Sequence, residues 1–310
     1  MYLNFFKLRE KPFSMLPDPA FLYLSRQHQR ALSLLRYGIL NQVGFTVLTG
    51  EVGCGKTTLL RRLMAELDKR VTVGLVSNTQ CEDFQELLQW ISLAFGLDYR
   101  GKDKVALYED FTEFLVREHA AERRSVLLID EAQHLDTRAL EQLRMLSNVN
   151  AGKHQLLQVV LVGQPSLWQC LARPELEQFV QRIGVDYHLK PLDQVETANY
   201  IRHRLTVAGG APDLFSIETI VVIWRYTKGI PRLVNLLCDT TLVYAYAEQS
   251  PTVTLALLED AVQDKRQGPS RLWAGLTPAD QDFDILAMAS VGDKPTVARP
   301  FPLNDGGKAV

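Results

Sequence analysis

The eight residues Gly50-Glu51-Val52-Gly53-Cys54-Gly55-Lys56-Thr57 decide the fold of this chain. They follow an apolar run at 45–49 that is typical of a strand, and they lead into a helical pattern at 56–68. The spacing Gly-x-x-x-x-Gly-Lys-Thr lets the backbone curl, so that its N–H groups and the start of the helix face a phosphate. The alternative is a chance glycine-rich turn, which the flanking strand and helix disfavour. The stretch therefore predicts a nucleotide-binding loop.

Side chains of this loop have separate expected roles. We expect Lys56 to reach the β- and γ-phosphates of ATP, and the hydroxyl of Thr57 to bind Mg²⁺. Cys54 lies close to a helix start, which can lower the pKa of a thiol, so we expect alkylation of Cys54 to block ATP binding and ATP to protect it. The residues of this segment predicted to contact ATP are Gly50, Glu51, Val52, Gly53, Cys54, Gly55, Lys56, Thr57 and Thr58.

Apolar runs and helical patterns alternate along the first two thirds of the chain. This alternation predicts an α/β fold, in which a parallel sheet is sandwiched by helices on both faces. The runs typical of strands lie at 45–49, 71–77, 125–130, 157–162 and 185–189. The helical patterns between them lie near 56–68, 82–95, 105–120, 136–148 and 174–182.

The same patterns divide the chain into four parts. Residues 1–24 are rich in aromatic residues and proline, which predicts an extended arm that packs against something, rather than a helix. Residues 25–191 carry the α/β pattern, and residues 192–266 are predicted to form a small all-α lid domain. Residues 267–310 are rich in Gly, Pro and Asp, which predicts a mobile tail. The helical patterns of the lid lie at 194–207, 216–227, 231–247 and 254–264.

Composition excludes several classes of protein. The 34 Lys and Arg against 36 Asp and Glu leave a formal net charge of −2, which gives no overall attraction to nucleic acid or to an acidic membrane. No apolar run approaches the roughly 18 residues of a membrane span, and the N-terminus lacks the layout of a signal peptide. We therefore expect a cytoplasmic protein that reaches the inner membrane only through partners. The four cysteines are scattered and are expected to be reduced.

Two acids follow the apolar run 126–129. Because the carboxyl ends of parallel strands meet at the edge where α/β proteins bind ligands, Asp130 and Glu131 should lie beside the nucleotide. We expect Asp130 to hold Mg²⁺ and Glu131 to act as the general base on the attacking water. The alternative is a solvated helix start, which the upstream loop makes less favourable.

Polar residues also end two other runs. Gln164 follows the run that ends at Gly163, and we expect its amide to position the same water. Asn78 ends the run 71–77 in a similar way and is predicted to contact the nucleotide. The alternatives are ordinary strand-end polarity for Gln164 and a simple turn for Asn78.

Arginines are candidate contacts to the γ-phosphate. Arg232 follows Pro231 in the first turn of a predicted helix, where the dipole disfavours a cation by roughly 0.3–1 kcal/mol unless an anion is near. We expect Arg232 to sense the γ-phosphate; the alternative is a solvated arginine. Arg182 precedes the run 185–189 and is expected to act on a neighbouring subunit, with Arg173 as the alternative finger. The alternative for Arg182 is a purely structural role, because the C-terminus of a helix favours a cation in any case.

Together these motifs resemble an AAA+ ATPase, and more narrowly the ExeA-like branch of bacterial secretion and pilus-biogenesis ATPases. The resemblance covers roughly residues 1–265. The stretches that carry it are Met1-Tyr2-Leu3 through Pro12-Phe13, Pro17-Asp18-Pro19, Tyr37-Gly38-Ile39, Leu48-Thr49-Gly50-Glu51-Val52-Gly53, Leu128-Ile129-Asp130-Glu131-Ala132-Gln133, Val162-Gly163-Gln164-Pro165 and Gly229-Ile230-Pro231-Arg232.

The resemblance implies more than the residues alone predict. It implies an ASCE-type sheet, a helical lid, a nucleotide-dependent homo-oligomeric ring and an arginine finger acting in trans. It also implies ATP hydrolysis that drives a secretion, pilus or polysaccharide-export system of the bacterial envelope. Related ATPases regulate DNA transposition, so a DNA-binding regulator is the main alternative; a switch that binds ATP without turnover is another. The net charge weighs against the DNA-binding regulator. The presence of both Asp130 and Glu131 weighs against the switch without turnover.

Overall fold

The computed structural model of the chain describes residues 1–16, 18–77, 83–151 and 154–267. These residues belong to one compact unit. Seven strands lie within them: β1 (Phe45–Gly50), β2 (Val71–Val76), β3 (Arg124–Ile129), β4 (Asn150–Ala151), β5 (His154–Gln155), β6 (Leu157–Gly163) and β7 (Ile183–Leu189). Five of them form a parallel sheet in the order β2-β3-β6-β1-β7, while β4 and β5 form a short antiparallel hairpin.

Helices surround the sheet and then continue beyond it. They are α1 (Tyr2–Phe5), α2 (Arg26–Leu40), α3 (Lys56–Glu66), α4 (Phe84–Ala94), α5 (Lys104–Ala120), α6 (Thr137–Leu146), α7 (Ser166–Leu171), α8 (Glu177–Val180), α9 (Gln194–Val207), α10 (Ile217–Thr227), α11 (Pro231–Ala247) and α12 (Leu255–Gln267). In the described part of the chain, no helix combines the length and apolarity needed to cross a bilayer.

Two apolar cores cover the faces of the sheet. Successive side chains of a strand point to opposite faces, so Leu127 and Leu161 enter one core while Leu128 and Val160 enter the other. Helices α4 to α8 cover the first face, and α2 and α3 cover the second. The predicted α/β class, a parallel sheet between two layers of helices, is confirmed.

The parallel registers determine which strand ends meet at each edge of the sheet. Thr49 of β1 pairs with Gly163 of β6, and Leu161 of β6 pairs with Ile129 of β3. The segments that follow β1, β3 and β6 therefore leave the sheet at one edge. At the opposite edge, Ile183 at the start of β7 pairs with Phe45 at the start of β1.

The N-terminal arm packs on the helices that follow the sheet. Its Arg9 N–H donates to Ala208 O at 2.8 Å, and Phe13 makes an edge-to-face contact with Phe215 at 5.9 Å. The prediction that residues 1–24 contain no helix is wrong, because α1 forms at Tyr2–Phe5 and a 3₁₀ turn forms at Pro19–Phe21. The aromatic residues that suggested an extended arm are the ones that anchor α1, since Phe5 packs on Tyr246 at 5.7 Å.

Smaller elements also differ from the sequence patterns. Helix α7 was not predicted, because it has only six residues and begins directly after Pro165. The pattern at 174–182 is a 3₁₀ turn followed by α8, which ends at Val180, so Arg182 lies past the helix. Asn78 and residues 268–310 lie outside the described residues. The division at 191 into an α/β domain and a lid stays a prediction.

Glu118 of α5 fastens that helix to the sheet. Its buried carboxylate accepts hydrogen bonds from Arg123 Nε (2.8 Å) and Nη2 (2.5 Å), and from the hydroxyl of Thr72 in β2. The bonds from Arg123 are the largest cause that lowers the pKa of Glu118 from 4.5 to about 2, and they outweigh burial, which opposes them. A depressed pKa means that this contribution to stability is present above pH 4.5 and is lost as pH falls towards 2.

We predict that Glu118→Gln lowers the free energy of unfolding by about 1–2 kcal/mol at pH 7, because one charge-assisted bond becomes neutral. Urea denaturation measures this loss, and the exposed Glu113→Gln on the same helix is the control. The difference from wild type should shrink between pH 4.5 and pH 2, as the wild-type carboxylate takes up its proton. A difference that is constant from pH 7 to pH 2 would contradict this account.

Candidate nucleotide-binding site

The loop between β1 and α3 has the backbone shape that phosphate binding requires. Gly53 and Gly55 have φ angles of 84° and 94°, in the left-handed region that glycine adopts without strain. A Cβ on Gly53 would lie 2.6 Å from Cβ of Arg232, so a side chain at Gly53 is excluded by contact as well as by φ. The Arg232 N–H donates to Gly53 O at 3.2 Å. Helix α11 therefore begins directly against the loop.

Lys56 lies inside the curl of the loop. Its side chain is buried, and Nζ donates to Gly50 O at 2.7 Å and to Glu51 O at 3.0 Å. Burial lowers the pKa of Lys56, while the charges of Glu131 and Asp130 act in the opposite direction. An ammonium held here has a third N–H for an anion in the loop.

Thr57 and Asp130 join the loop to the end of β3. The Thr57 hydroxyl donates to Asp130 Oδ2 at 2.6 Å, and Asp130 Oδ1 accepts from the Glu131 N–H at 2.9 Å. Mg²⁺ prefers oxygen ligands and in nucleotide sites takes only one or two from the protein, with water and phosphates completing its octahedron. This hydroxyl and carboxylate fit that requirement.

Glu131 has an uncommon backbone conformation. Its φ of 52° lies in the left-handed region, which for a residue with a side chain costs of order 1–3 kcal/mol. Its Oε2 accepts from Gln133 Nε2 at 2.6 Å and from Gln164 Nε2 at 3.4 Å. Burial alone would raise the pKa of Glu131, but these bonds and the charge of Lys56 outweigh it, so the pKa is lowered. The carboxylate is ionised and can accept a proton.

Gln133 links the two predicted water-binding residues. While its Nε2 donates to Glu131, its Oε1 accepts from the Gln164 N–H at 2.9 Å. A Cβ on Gly163 would approach Oε1 to 2.9 Å, so this side chain packs closely against the end of β6. Sequence reasoning did not assign Gln133 a role, although its position two residues after Glu131 placed it in reach.

The expectation that the nearby helix start lowers the pKa of the Cys54 thiol is wrong, while the effect of its alkylation on ATP binding stays a prediction. Cys54 is 1% exposed and packs in the core with α2 and α3. Burial raises the pKa of this thiol from 9.0 to about 11, and the nearby charge of Lys56 only partly offsets it. A backbone hydrogen bond from Glu51 also lowers the pKa of this thiol, but burial outweighs both effects. Here the side chain points into apolar packing.

A cavity of about 360 Å³ lies between the loop and the helices that follow the sheet. The loop residues 52–58 and Glu131 form one wall. The arm residues 14–16 and 21–23 form another, and Arg232 and Asn235 of α11 contribute a third. The cavity therefore lies beside the phosphate loop and within reach of the Arg232 side chain, which is exposed.

Arg204 of α9 holds the arm in the cavity wall. It is 7% exposed and donates to Pro12 O, to Ser14 O at 3.3 Å and to the Tyr200 hydroxyl at 3.0 Å. Its guanidinium also lies 4.9 Å from the Phe21 ring centre. Sequence reasoning missed Arg204 and Tyr200; their spacing of four on one helix face was the available signal.

The two arginines predicted as candidate fingers, Arg182 and Arg173, do not line the cavity beside the phosphate loop. Arg182 donates to Asn148 Oδ1 and precedes β7, at the sheet edge opposite the loop. Since β7 spans roughly 20 Å, Arg182 cannot reach a nucleotide in its own loop. Arg173 is exposed between α7 and α8. Thr58 is half-buried in the first turn of α3.

Comparison with known proteins agrees with this geometry. The AAA domain family matches residues 40–171, which contain the loop, both acids and Gln164. Residues 40–171 are an AAA domain. General secretion pathway protein A of Aeromonas hydrophila is 44% identical over 254 residues, which cover 81% of this chain. The chain spans only 46% of the length of that relative. The resemblance to the ExeA-like branch of AAA+ ATPases is confirmed.

Solved structures resemble the AAA domain together with the helices that follow it. The Aeropyrum pernix ORC2 protein has a TM-score of 0.63 at 18% identity, covering 82% of this chain and 71% of its own. Cdc6p of Pyrobaculum aerophilum has a TM-score of 0.63 at 15% identity, with coverages of 84% and 75%. The Thermotoga maritima RuvB motor has 0.51 at 16% identity, with coverages of 77% and 69%. These similarities show the fold.

We predict that Cys54 of the native protein alkylates slowly. A pKa of about 11 instead of 9.0 lowers the thiolate fraction near pH 8 by about a hundredfold, and burial blocks the reagent as well. Iodoacetamide labelling followed by mass spectrometry of the Cys54 peptide measures this, with the urea-unfolded protein as the control. Labelling of native Cys54 at the unfolded rate would contradict the buried placement.

Proposed function

We propose that this chain is a Mg²⁺-dependent ATPase. The observation that carries the proposal is the 2.6 Å hydrogen bond between Thr57 and Asp130, because it brings a hydroxyl from the loop and a carboxylate from β3 into one Mg²⁺-binding pair. Lys56 and Glu131 lie at the same edge of the sheet. A binding-only switch has no need of the base, whereas here a dedicated pair of amides orients Glu131.

In the proposed reaction, the loop N–H groups and Lys56 bind the β- and γ-phosphates. Thr57 and Asp130 hold Mg²⁺, which when bound neutralises charge on the phosphate oxygens. Glu131 accepts a proton from the attacking water as the water oxygen bonds to the γ-phosphorus, and the bond from that phosphorus to the β–γ bridging oxygen breaks, so that ADP leaves and inorganic phosphate forms. Gln164 orients that water, and Gln133 keeps Glu131 and Gln164 in register.

Arg232 is proposed to report the state of the nucleotide. It lies at the start of α11, in contact with Gly53, so its guanidinium can move towards a γ-phosphate without leaving the cavity wall. Loss of the γ-phosphate would remove the anion that favours a cation at this helix start. The helices α9 to α12 would then change position relative to the loop.

Arg182 is proposed to act on a neighbouring copy of the chain. Its place at the sheet edge opposite the loop excludes a role in its own site and suits contact with the site of the next subunit in a ring. A homo-oligomer formed in this way would couple hydrolysis between subunits.

The envelope role is proposed from the relative. Because a protein that is 44% identical is named general secretion pathway protein A, we infer that this chain powers assembly or operation of a bacterial secretion, pilus or export system. It would work in the cytoplasm and reach the inner membrane through its partners. The net charge of −2 gives the DNA-binding alternative no electrostatic support.

We predict that Glu131→Gln keeps ATP affinity within about threefold and loses turnover by about 10²- to 10⁴-fold, because only the base is removed. Lys56→Ala should abolish binding. Phosphate release and titration with a fluorescent ATP analogue measure the two effects, with the exposed Glu175→Gln as the control. Wild-type turnover in Glu131→Gln would exclude Glu131 as the base, and unchanged affinity in Lys56→Ala would exclude the loop as the site.

We also predict that Gln133→Leu lowers kcat by about 10- to 100-fold while the Kd for ATP stays the same, because Glu131 and Gln164 lose the group that holds them in place. The exposed Arg138→Ala on the following helix is the control. Steady-state kinetics and equilibrium binding separate the two quantities. An unchanged kcat would show that Glu131 and Gln164 hold their positions without Gln133.

A further inference from the structure

The ring of His28 is buried against the phosphate loop, where it belongs to the lining of the same cavity. His28 is in the first turn of α2 and is 4% exposed. Its Nε2 lies 3.0 Å from Cys54 O, and its Nδ1 lies 2.9 Å from the hydroxyl oxygen of Ser25. None of the motifs that predict the nucleotide site includes this histidine.

The partners of His28 fix the direction of both hydrogen bonds. A carbonyl oxygen can only accept, so Nε2 carries the proton that is shared with Cys54 O. In the neutral ring Nδ1 then accepts, and the Ser25 hydroxyl donates to it. Burial lowers the pKa of His28 and so favours this neutral form. The same Ser25 oxygen accepts from the His28 N–H at 3.4 Å and caps α2.

This chain of bonds constrains one peptide unit of the loop. Cys54 O belongs to the same planar unit as the N–H of Gly55. Because a trans peptide holds its C=O and N–H on opposite sides, fixing Cys54 O also fixes the direction of the Gly55 N–H. That N–H belongs to the curl of donors that binds phosphate.

The backbone at Gly55 does not by itself fix the orientation of this peptide unit. Gly55 has a φ of 94° and no side chain that could anchor it, so rotation of its preceding peptide is sterically easy. The Cys54 side chain holds the other end of that segment in the core. A Cβ on Gly55 would lie 3.1 Å from His28 Nε2, so the ring packs closely against the backbone at this point.

We propose that His28 is a positioning residue for phosphate binding, whose Nε2–H holds the Cys54–Gly55 peptide in the orientation that presents the Gly55 N–H to the nucleotide. The inference rests on the proposed function, since it assigns a role within the same site. His28 does not touch ATP in this scheme and takes no part in proton transfer. It acts through the backbone of the loop.

Three variants test the hydrogen bond apart from the packing. His28→Leu introduces an apolar side chain of similar reach that has no hydrogen-bond donor. His28→Gln can instead place its amide N–H near Cys54 O. Ser25→Ala keeps the ring but removes both the donor to Nδ1 and the cap of α2, so its free energy of unfolding is measured beside its Kd. The control is Ser33→Ala, an exposed position on the same helix. Urea denaturation of each variant establishes that it is folded.

We predict that His28→Leu raises the Kd for MgATP about tenfold or more, while kcat at saturating ATP stays within about threefold of wild type, because the base and Mg²⁺ ligands are untouched. His28→Gln should return the Kd to within about threefold of wild type, and Ser25→Ala should give a smaller increase than His28→Leu. In the protein without nucleotide, the NMR signal of the Gly55 amide should shift in His28→Leu and return towards its wild-type position in His28→Gln.

Each failure has a separate signature. Wild-type affinity in His28→Leu overturns the positioning role, and equal weakening in Leu and Gln variants shows that packing, not the hydrogen bond, is responsible. If His28→Leu does not fold, Ser25→Ala decides, and an unchanged Kd there counts against the proposal. Wild-type protein that binds ATP without hydrolysing it refutes only the ATPase, because the Kd comparison still stands. Wild-type protein that binds no ATP overturns both.

Discussion

Strand β6 is hydrogen-bonded between β3 and β1, and all three run in the same direction. Their carboxyl ends therefore open at one edge of the sheet. Asp130, Glu131 and Gln164 are the first residues past that edge. The site depends on this pairing, because a shift by one residue in either register would turn every side chain of the shifted strand to the opposite face.

The electrostatics of the edge follow from what each charge contacts. The charges of Lys56 and Glu131 favour each other's ionised form, although burial penalises both. Arg204 is also buried, but its described hydrogen bonds are to two backbone carbonyls and a tyrosine hydroxyl. An arginine tolerates this because its charge is delocalised and its planar face can lie on Phe21. The fold therefore holds the positive charge of Arg204 in the wall of the cavity.

Much of the architecture could be predicted from sequence, for a physical reason. Buried parallel strands are rich in apolar residues, so each of the five runs predicted a strand. The loop motif located Lys56 and Thr57, and the end of the run 126–129 located Asp130 beside them. What escaped prediction depends on contacts between distant segments. His28 reaches Cys54 across 26 positions, and Gln164 meets Gln133 across 31. The pKa of Cys54 was wrongly expected to be low, because sequence shows its distance from a helix start but not that its side chain is buried.

The arm has a consequence for how this protein can be divided. The family match begins at residue 40, yet Ser25 and His28 of α2 lie before it, and the arm before them forms a wall of the cavity. A fragment trimmed to the matched segment would lose the group that holds Cys54 O. It would also lack α9 and α11, which contribute Arg204 and Arg232. A piece of the chain that keeps every wall of the cavity must therefore extend at least from residues 14–16 of the arm through α11.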